Sequence, residues 1–382
     1  MAMVNKKISV VLPCLNEEEG LGSCIEKIKE VFLKGNINGE IIVVDNGSTD
    51  KSVEIAKTLG AKILFQPIRG YGAAYIKGFD EAASDYIIMA DADDTYDFYS
   101  IPQFIRLLDE GNDLVMGNRF KGKMAKGAMT FSHRFIGNPI ITFVFRVFFH
   151  TNLSDVLCGM RAFTRQAYTK MELKCLGMEF ATEMILASLK QNLKIAEIPI
   201  NYFPRKGQTK LRSFQDAWRY FRFMLLFSPD WLFIVPGSIL FFLGFIALFL
   251  SGWGILNFLG HKFDIHSMVF FTFFSLLGFQ ILTLGLYAKT YGLSEGFGKE
   301  DKLLKNFYQH FNLEKGLIIG VAIAILGFSI GAYILSKWIK IGFGPLDEIR
   351  LSLISLFFMI LGIQIVFSSF LISILMLPRK KI

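Results

Sequence analysis

Two aspartates stand two positions apart at the predicted end of a buried strand. The apolar run 86–90 leads directly into Asp91-Ala92-Asp93. Carboxylates spaced in this way on a turn can share a divalent cation, and Mg²⁺ combines one or two carboxylates with substrate phosphates and water. Turns also favour Asp for local backbone reasons, so a solvated loop is the alternative for the pair alone. The pair predicts a metal–diphosphate site only if other polar groups converge on it.

The elements before residue 210 bring such groups to the same place. Apolar strands are predicted over 8–12, 40–45, 61–65, 86–90 and 113–116, and helices over 21–32, 50–59, 71–83 and 101–108. Continuous apolar strands separated by helices indicate an α/β domain whose mainly parallel sheet is covered on both faces. Ligands bind outside the carboxyl ends of such strands. Because Asn16, Glu17 and Asp45 follow strand ends as the aspartate pair does, we expect all of them to share one crevice.

A glycine-containing turn opens the predicted helix 71–83. Its sequence is Arg69-Gly70-Tyr71-Gly72. Glycine at this point would let the backbone approach a phosphate at the helix N-terminus. The alternative is a plain tight turn, in which paired glycines are common.

Four long runs without charged residues follow residue 230. They lie at 231–260, 265–288, 316–336 and 351–378, and each reaches the roughly 20 residues that a helix needs to cross a bilayer. Four buried helices of this kind in a soluble protein would require a very large core. The composition agrees with a membrane protein, since 52% of the residues are hydrophobic and 40 of 382 are Phe. We predict an all-α block of four transmembrane helices over 231–382.

The basic residues around these runs predict their orientation. Those between the second and third runs and at the chain end are Lys289, Lys299, Lys302, Lys305, Lys315, Arg379, Lys380 and Lys381. Those after the first and third runs are Lys262, Lys337, Lys340 and Arg350. Positive charge marks the cytoplasmic side. The N-terminal domain and both termini are therefore predicted to be cytoplasmic in an integral protein of the cell membrane.

The net charge and two amphipathic segments indicate contact with lipid. A formal net charge of +8 suits an anionic membrane surface, and nucleic-acid binding is disfavoured because much of the Lys and Arg flanks apolar or aromatic runs. Segments 135–149 and 211–230 mix basic with apolar or aromatic residues, as helices in the headgroup layer do. The alternative is packing on the N-terminal domain.

The four cysteines lack metal-site spacing and are expected to be reduced thiols.

Three motifs occur in a fixed order at the strand ends: Pro13-Cys14-Leu15-Asn16-Glu17, Val43-Val44-Asp45-Asn46-Gly47-Ser48-Thr49-Asp50 and Asp91-Ala92-Asp93. Together they resemble the family 2 glycosyltransferases over residues 8–210. The resemblance implies a Rossmann-like GT-A domain over 1–210 and an inverting transferase that uses a nucleoside-diphosphate sugar. It implies that the base and ribose are held by Pro13, Leu15, Glu17 and Asp45. Asp91 and Asp93 would contact the donor pyrophosphate through Mg²⁺ or Mn²⁺. With the donor-binding residues we also count Asn16, Arg69, Gly70 and Ala92.

Four further segments are similar to those of polyprenyl-phosphate sugar synthases, a group that includes the dolichyl-phosphate mannose synthases. They are Gly117-Asn118-Arg119, Ser132-His133-Arg134-Phe135, the segment 155–161 before a predicted helix, and the segment 205–211. The resemblance implies that Arg119 and Arg134 bind the phosphate of a polyprenyl phosphate acceptor. It also implies that Arg205 and Lys210 face the donor phosphates, with a plain surface or headgroup charge as the alternative for Lys210. A planar guanidinium presents two parallel donors that fit phosphate.

Two residues leave parts of this chemistry open. Thr95 stands where the mannose synthases have a Gln that can join the metal ligands, so the third ligand and the identity of the hexose are not predicted. Glu183 lies where many family 2 enzymes keep an acidic residue. We count it as an active-site candidate, with a helix-capping or structural role as the alternative.

The expected reaction is inverting transfer of a hexose from a donor of the GDP-mannose or UDP-glucose type to a polyprenyl phosphate. A processive polysaccharide synthase is the first alternative, but its Gln-x-x-Arg-Trp motif is replaced here by Gln215-Asp216-Ala217-Trp218-Arg219. A lipid-sugar translocator or scaffold with an inactive transferase domain is the second, because four transmembrane runs exceed what anchoring requires. A homo-oligomer is compatible with the sequence.

Overall fold

The protein, seen in a computed structural model, divides into two compact units, Met1–Met224 and Leu225–Ile382. The structure describes residues 6–207, 213–258, 261–294 and 312–376. Lys210, a predicted donor-binding residue, lies outside the described residues. The predicted boundaries at residues 210 and 230 remain predictions, and the division between the units falls between them.

The first unit is built on one sheet. Its strands are β1 Ile8–Cys14, β2 Gly39–Asp45, β3 Lys62–Phe65, β4 Tyr86–Met89, β5 Leu114–Asn118, β6 Arg161–Thr164 and β7 Ile195–Pro199. Within the described residues these seven strands lie in the order β3-β2-β1-β4-β6-β5-β7. All neighbours are parallel except β6, which is antiparallel to β4 and β5. The prediction of a mainly parallel, GT-A-like sheet is confirmed, and the carboxyl ends of β1, β2 and β4 lie at one edge.

Helices cover both faces of this sheet. They are α1 Glu18–Lys34, α2 Ser52–Thr58, α3 Tyr71–Glu81, α4 Ile101–Asp109, α5 Asn138–Phe149, α6 Arg165–Met171, α7 Phe180–Lys190 and α8 Ser213–Leu226. Leu21, Ile25 and Ile28 of α1 recur at helical spacing and enter the core on one face. Phe79 of α3 and Phe180 of α7 enter the core on the other. Burial on both faces explains why the central strands are continuously apolar.

Two strands were missing from the sequence-based prediction. β7 was not predicted, and the segment 155–161, expected to precede a helix, instead leads into β6, with α6 following that strand. β6 has the sequence Arg161-Ala162-Phe163-Thr164, so it lacks the continuous apolar run by which β4 was predicted. Its pairing with β4 and β5 inserts it into the middle of the sheet.

The two segments predicted to contact lipid each bury one side in the first unit. Phe145 of α5 and Met224 of α8 are both fully buried in the same core. Phe135 and Phe143 of the first segment remain 57% and 66% exposed, and Trp218 of α8 remains 54% exposed. Packing on the domain therefore accounts for one face of each helix and leaves an aromatic face outside.

The second unit contains four helices that are long and apolar enough to cross a membrane, among the residues that the structure describes. The spans are Asp230–Gly252, Ile265–Leu293, Leu313–Lys340 and Ile349–Leu375. They belong to α9 Val235–Gly252 with the π-helical turn before it, α10 Ile265–Ser294, α11 Leu313–Lys340 and α12 Ile349–Leu375. Small residues allow close packing between neighbours, since a Cβ on Gly278 would lie 2.3 Å from the Phe241 nitrogen. The predicted transmembrane block is confirmed.

Candidate active site

An arginine joins two of the predicted strand-end carboxylates. Arg205 Nη1 donates to Asp93 Oδ2 at 2.8 Å, and Arg205 Nη2 donates to Glu17 Oε1. Glu17 directly precedes α1 after the end of β1, and Asp93 follows β4. The parallel arrangement of β1 and β4 brings the two acids to one side of the sheet. The structure thus brings together three residues that the sequence placed in the donor site.

Asp91 is the most perturbed acid of this group. Burial and, after it, the charge of Asp93 raise its pKa to about 7, although hydrogen bonds from two tyrosines oppose the shift. The hydroxyls of Tyr71 and Tyr75 donate to Asp91 Oδ1 at 3.0 and 3.3 Å. A carboxyl group whose charge is disfavoured by burial and by a neighbouring acid gains most from a nearby cation.

The turn after Asp93 is fixed by a second set of charges. Thr95 donates to Asp93 Oδ1 through its backbone nitrogen at 3.2 Å and its hydroxyl at 2.6 Å. Asp94 adopts a left-handed conformation with φ 62° and pairs with Lys27 at 2.5 Å and Lys206 at 2.7 Å. Although burial opposes ionisation, the hydrogen bonds from Lys206 and Lys27 lower the pKa of Asp94. Asp94 was missed by the sequence reasoning; it ties the Asp93 turn to the segment that carries Arg205.

The predicted nucleotide end of the site is a network of local turns. Asp45 accepts the backbone N–H groups of Gly47 and Ser48 at 3.2 and 3.1 Å. Asn16 Oδ1 accepts the Thr49 N–H at 2.7 Å. Pro13 lies within β1, where it pairs with Val44 in register, and Leu15 follows that strand.

Asn46 is a further residue of this network that the sequence reasoning did not select. Its amide nitrogen donates to the carbonyls of Gln66 and Ile68, both at 2.8 Å, and its oxygen accepts the Gly70 N–H at 2.8 Å. The Asn-Gly string after β2 could have indicated such a role, because Asn in turns bonds backbone groups. This side chain holds the loop that carries Arg69 close to the end of β2.

The glycines at the start of α3 are explained by packing. A Cβ on Gly70 would lie 2.1 Å from the Leu176 carbonyl oxygen, and one on Gly72 would lie 2.1 Å from the Cys175 carbonyl oxygen. Arg69 is exposed beside Gly47, whose Cβ position is 3.7 Å from the Arg69 Nη2 atom. Neither a phosphate nor a simple turn is needed to account for the two glycines.

Arg119 differs from the expectation for an acceptor-phosphate ligand. It is 6% exposed, and its Nε and Nη2 atoms donate to Asp155 at 2.8 and 2.7 Å. Its guanidinium also lies over the Tyr202 ring, 5.3 Å from the centroid. Asp155 therefore uses the paired donors that a phosphate would require, because the Arg119 backbone emerges from β5 beside the 155–161 loop.

The remaining candidates occupy different places. Arg134 is exposed and lies over the Phe135 ring at 5.2 Å. Both carboxylate oxygens of Glu183 accept backbone N–H groups, those of Lys174 at 3.0 Å and Cys175 at 2.9 Å. Glu183 thus stabilises the loop before α7, which corresponds to the structural alternative. Ala92 is buried at 2% exposure.

The donor atoms at this site suit a cation that is completed by a substrate. Among the described residues no three His, Cys, Asp or Glu side chains are grouped to hold a metal. Two carboxylates alone leave room for phosphate oxygens, the arrangement that Mg²⁺ accepts. In addition, Arg205 Nε is buried without a hydrogen-bond partner. A buried, unpartnered guanidinium donor beside two acids fits a missing anionic ligand.

Two family profiles match separate parts of this chain. The sequence profile of Glycosyl transferase family 2 matches residues 9–171. The profile of the Glycosyltransferase family 2 C-terminal transmembrane region matches residues 286–376. These two regions fall in the first and second units respectively.

Two relatives from Haloferax volcanii are similar to nearly all or to about half of this chain. A low-salt glycan biosynthesis hexosyltransferase is 37% identical over 96% of this chain and 88% of its own length. A dolichyl-phosphate hexose transferase is 31% identical over 54% of this chain and 87% of its own length. Among solved structures, glucosyl-3-phosphoglycerate synthase from Mycobacterium tuberculosis is similar at a TM-score of 0.47 and 23% identity, covering 58% of this chain and 79% of that one.

Proposed function

Because this chain belongs to glycosyl transferase family 2, we propose that it transfers one hexose from a nucleoside-diphosphate sugar to a polyprenyl phosphate in the membrane. The observation that carries this proposal is the joining of Glu17, Arg205 and Asp93 at the carboxyl ends of β1 and β4, with Asp91 beside them. Acids and a buried guanidinium in one crevice suit a metal-bound diphosphate. We expect a donor of the GDP-mannose or UDP-glucose type.

In this proposal Asp91 and Asp93 would hold Mg²⁺ or Mn²⁺, and Arg205 Nε would donate a hydrogen bond to a diphosphate oxygen. The bound cation supplies charge neutralisation on the diphosphate leaving group. Pro13, Leu15, Glu17 and Asp45 hold the base and ribose in this proposal, and Asn16 and Ala92 are further donor-binding residues. Arg69 and Gly70 border the donor from the loop that Asn46 holds. Lys210, which lies outside the described residues, stays a prediction as a residue that faces the donor phosphates.

The acceptor is proposed from chemistry and from one relative. A dolichyl-phosphate hexose transferase is 31% identical over 54% of this chain, and four helices long and apolar enough to cross a membrane indicate a membrane protein. A phosphate monoester has a second pKa near 6 and is mostly dianionic at neutral pH. Its oxygen can attack the anomeric carbon while the bond to the donor diphosphate breaks, which inverts the configuration. Positioning and charge stabilisation then do most of the catalysis, without a strong general base.

The test is a transfer reaction with the full-length protein in detergent. Purified protein is mixed with polyprenyl phosphate, Mn²⁺ or Mg²⁺, and radiolabelled nucleotide sugars supplied one at a time. We expect organic-extractable label from one donor, loss of this product with EDTA, and its return when the divalent cation is restored. Absence of lipid-linked label from every donor would overturn the proposal, and long water-soluble polymer would indicate a processive synthase instead.

We propose that the first unit and both termini are cytoplasmic, because lysines cluster between the second and third spans and at the chain end. Nucleotide sugars do not cross a sealed bilayer. In the same assay, sealed inside-out vesicles should therefore be active without detergent, whereas right-side-out vesicles should need detergent. The reverse pattern would contradict the orientation.

Arg134 is the arginine that we propose for the acceptor phosphate, because it is exposed whereas Arg119 is paired with Asp155. Arg134→Gln should lower kcat/KM for polyprenyl phosphate by about 10–100-fold. The reason is that a lost hydrogen bond to a charged group costs about 1.5–3 kcal/mol. The KM for the nucleotide sugar should change little. The matched control is Arg146→Gln, because Arg146 is also an exposed arginine and lies on α5. Equal kinetics in the two variants would exclude this role for Arg134.

A further inference from the structure

Two tyrosine hydroxyls converge on a single oxygen of Asp91. Tyr71 and Tyr75 lie four residues apart on α3, so both project from the same face of that helix. Their hydroxyls donate to Oδ1 at 3.0 and 3.3 Å. Two donors on one carboxylate oxygen fix the rotation of the carboxyl group and leave the second oxygen, Oδ2, free of both.

The two tyrosines are themselves held by aromatic packing. Their rings meet edge to face with centroids 4.9 Å apart, and Tyr75 stacks on Phe180 at 5.7 Å with an interplanar angle of 8°. Tyr75 and Phe180 are both fully buried. Tyr71 is partly buried and packs against the same core, so both hydroxyls have little freedom to leave Asp91.

Gly159 lies beside the other oxygen of the same carboxylate. A Cβ at this position would lie 3.0 Å from Asp91 Oδ2, 2.8 Å from Tyr96 Oη and 3.2 Å from Tyr71 Oη. The Gly159 N–H donates to Tyr96 Oη at 2.8 Å, which brings the backbone close. The missing side chain at residue 159 is what keeps the space beside Oδ2 open.

A buried arginine holds the loop that carries Gly159. Arg161 is fully buried, and its guanidinium donates to the carbonyls of Cys158 at 2.9 Å, Ala181 at 2.6 Å and Val156 at 3.1 Å. Two of these carbonyls belong to the loop on either side of Leu157. The cation therefore ties the loop to the start of α7 and sets its distance from Asp91.

We propose that Tyr71, Tyr75 and Gly159 form a positioning clamp that orients Asp91, so that Oδ2 is the oxygen left for the cation of the donor site. Arg161 is the support that keeps the Gly159 side of this clamp in place. The inference rests on the proposed function, because it takes Asp91 as a ligand of a divalent cation. It adds positioning residues that neither contact the sugar nor bind the metal themselves.

The first test removes one hydroxyl of the clamp. Full-length protein in detergent is titrated with Mn²⁺ in the presence of UDP or of GDP, and free Mn²⁺ is measured by electron paramagnetic resonance. Tyr71→Phe keeps the ring and should weaken Mn²⁺ binding by about 10–100-fold, as the loss of a group that orients a metal ligand does. Tyr168→Phe is the matched control, because Tyr168 Oη donates at 2.6 Å to the carboxylate of Asp80, which is outside the site.

The second test crowds the other side of Asp91. Gly159→Ala should weaken Mn²⁺ binding to a similar extent, whereas Gly22→Ala, whose Cβ would be 3.5 Å from its nearest neighbour on Ile55, should not. Circular dichroism reports whether each variant is folded. Unchanged Mn²⁺ affinity in both folded site variants, or an equal loss in the two controls, would overturn the clamp. Wild-type protein that binds no Mn²⁺ with either nucleotide would instead overturn the proposed donor site.

Discussion

Replacing Asp93 with Asn is expected to lower kcat about a thousandfold while the protein still folds and inserts into the membrane. Asp93 is 5% exposed and its carboxylate faces Arg205, so its charge acts where water screens it little. The bound cation contributes several kcal/mol of stabilisation. Its loss would produce the thousandfold decrease in kcat, because each tenfold change in rate corresponds to about 1.4 kcal/mol. The Asn side-chain oxygen can still accept the two hydrogen bonds that Thr95 donates, which preserves the turn.

The measurement is single-turnover transfer of labelled hexose by full-length protein, compared with Asp80→Asn. Asp80 is an exposed residue of α3, so the control carries the same chemical change on the same unit. The control should retain wild-type turnover. If Asp93→Asn kept more than a tenth of that turnover, Asp93 would not be a metal ligand, and the proposed donor site would have to be abandoned.

Replacing Asp155 with Ala is expected to destabilise the first unit by about 3–5 kcal/mol. Asp155 is fully buried and pairs with Arg119 at 2.7 Å, so its removal leaves a buried cation without a counter-charge. Asp155 also accepts the Arg119 backbone N–H at 3.0 Å. Hydrogen exchange of the β5 and β6 amides in the full-length protein reports the loss, since exchange of core strands follows the free energy of unfolding.

A double variant separates charge from packing in this pair. Arg119→Met together with Asp155→Asn removes both charges and keeps an acceptor for the backbone N–H at residue 119. Replacement of both members of a buried ion pair is often nearly neutral, so the double variant should recover most of the protection. Wild-type exchange in Asp155→Ala would show that the pair adds little stability, and equal losses in single and double variants would show that charge is not the cause.

The sequence alone was sufficient to predict the elements that have a strong hydrophobic pattern. The strands at 8–12, 40–45 and 86–90 were placed correctly because both faces of each are buried, which makes them continuously apolar. The four membrane spans were equally clear, since a bilayer demands long apolar helices. β6 could not be predicted, because its place between β4 and β5 depends on pairing with strands far away in the chain.

The site residues that follow strand ends were predictable from the sequence, whereas the side chains that contact them were not. Glu17, Asp45 and the Asp91–Asp93 turn follow strands whose parallel order brings them to one edge, and a parallel sheet binds ligands there. The two tyrosines on Asp91 and the two lysines on Asp94 gave no such signal. Their partners are set by how α3, α1 and the segment after β7 pack against the end of β4, which no spacing in the sequence encodes.

The Asp91-Ala92-Asp93 turn illustrates the difference between what the sequence determined and what only the tertiary structure decided. The sequence by itself determined that two acids leave a buried strand beside other strand-end acids, and that a membrane domain follows. Only the tertiary structure decided what surrounds each oxygen: Arg205 and Thr95 on Asp93, and Tyr71 and Tyr75 on Asp91. It also decided that Arg119 faces Asp155. The reason is physical, because the positions of strands in the sequence follow from local hydrophobic patterns, whereas side-chain partners depend on distances between residues far apart in the chain.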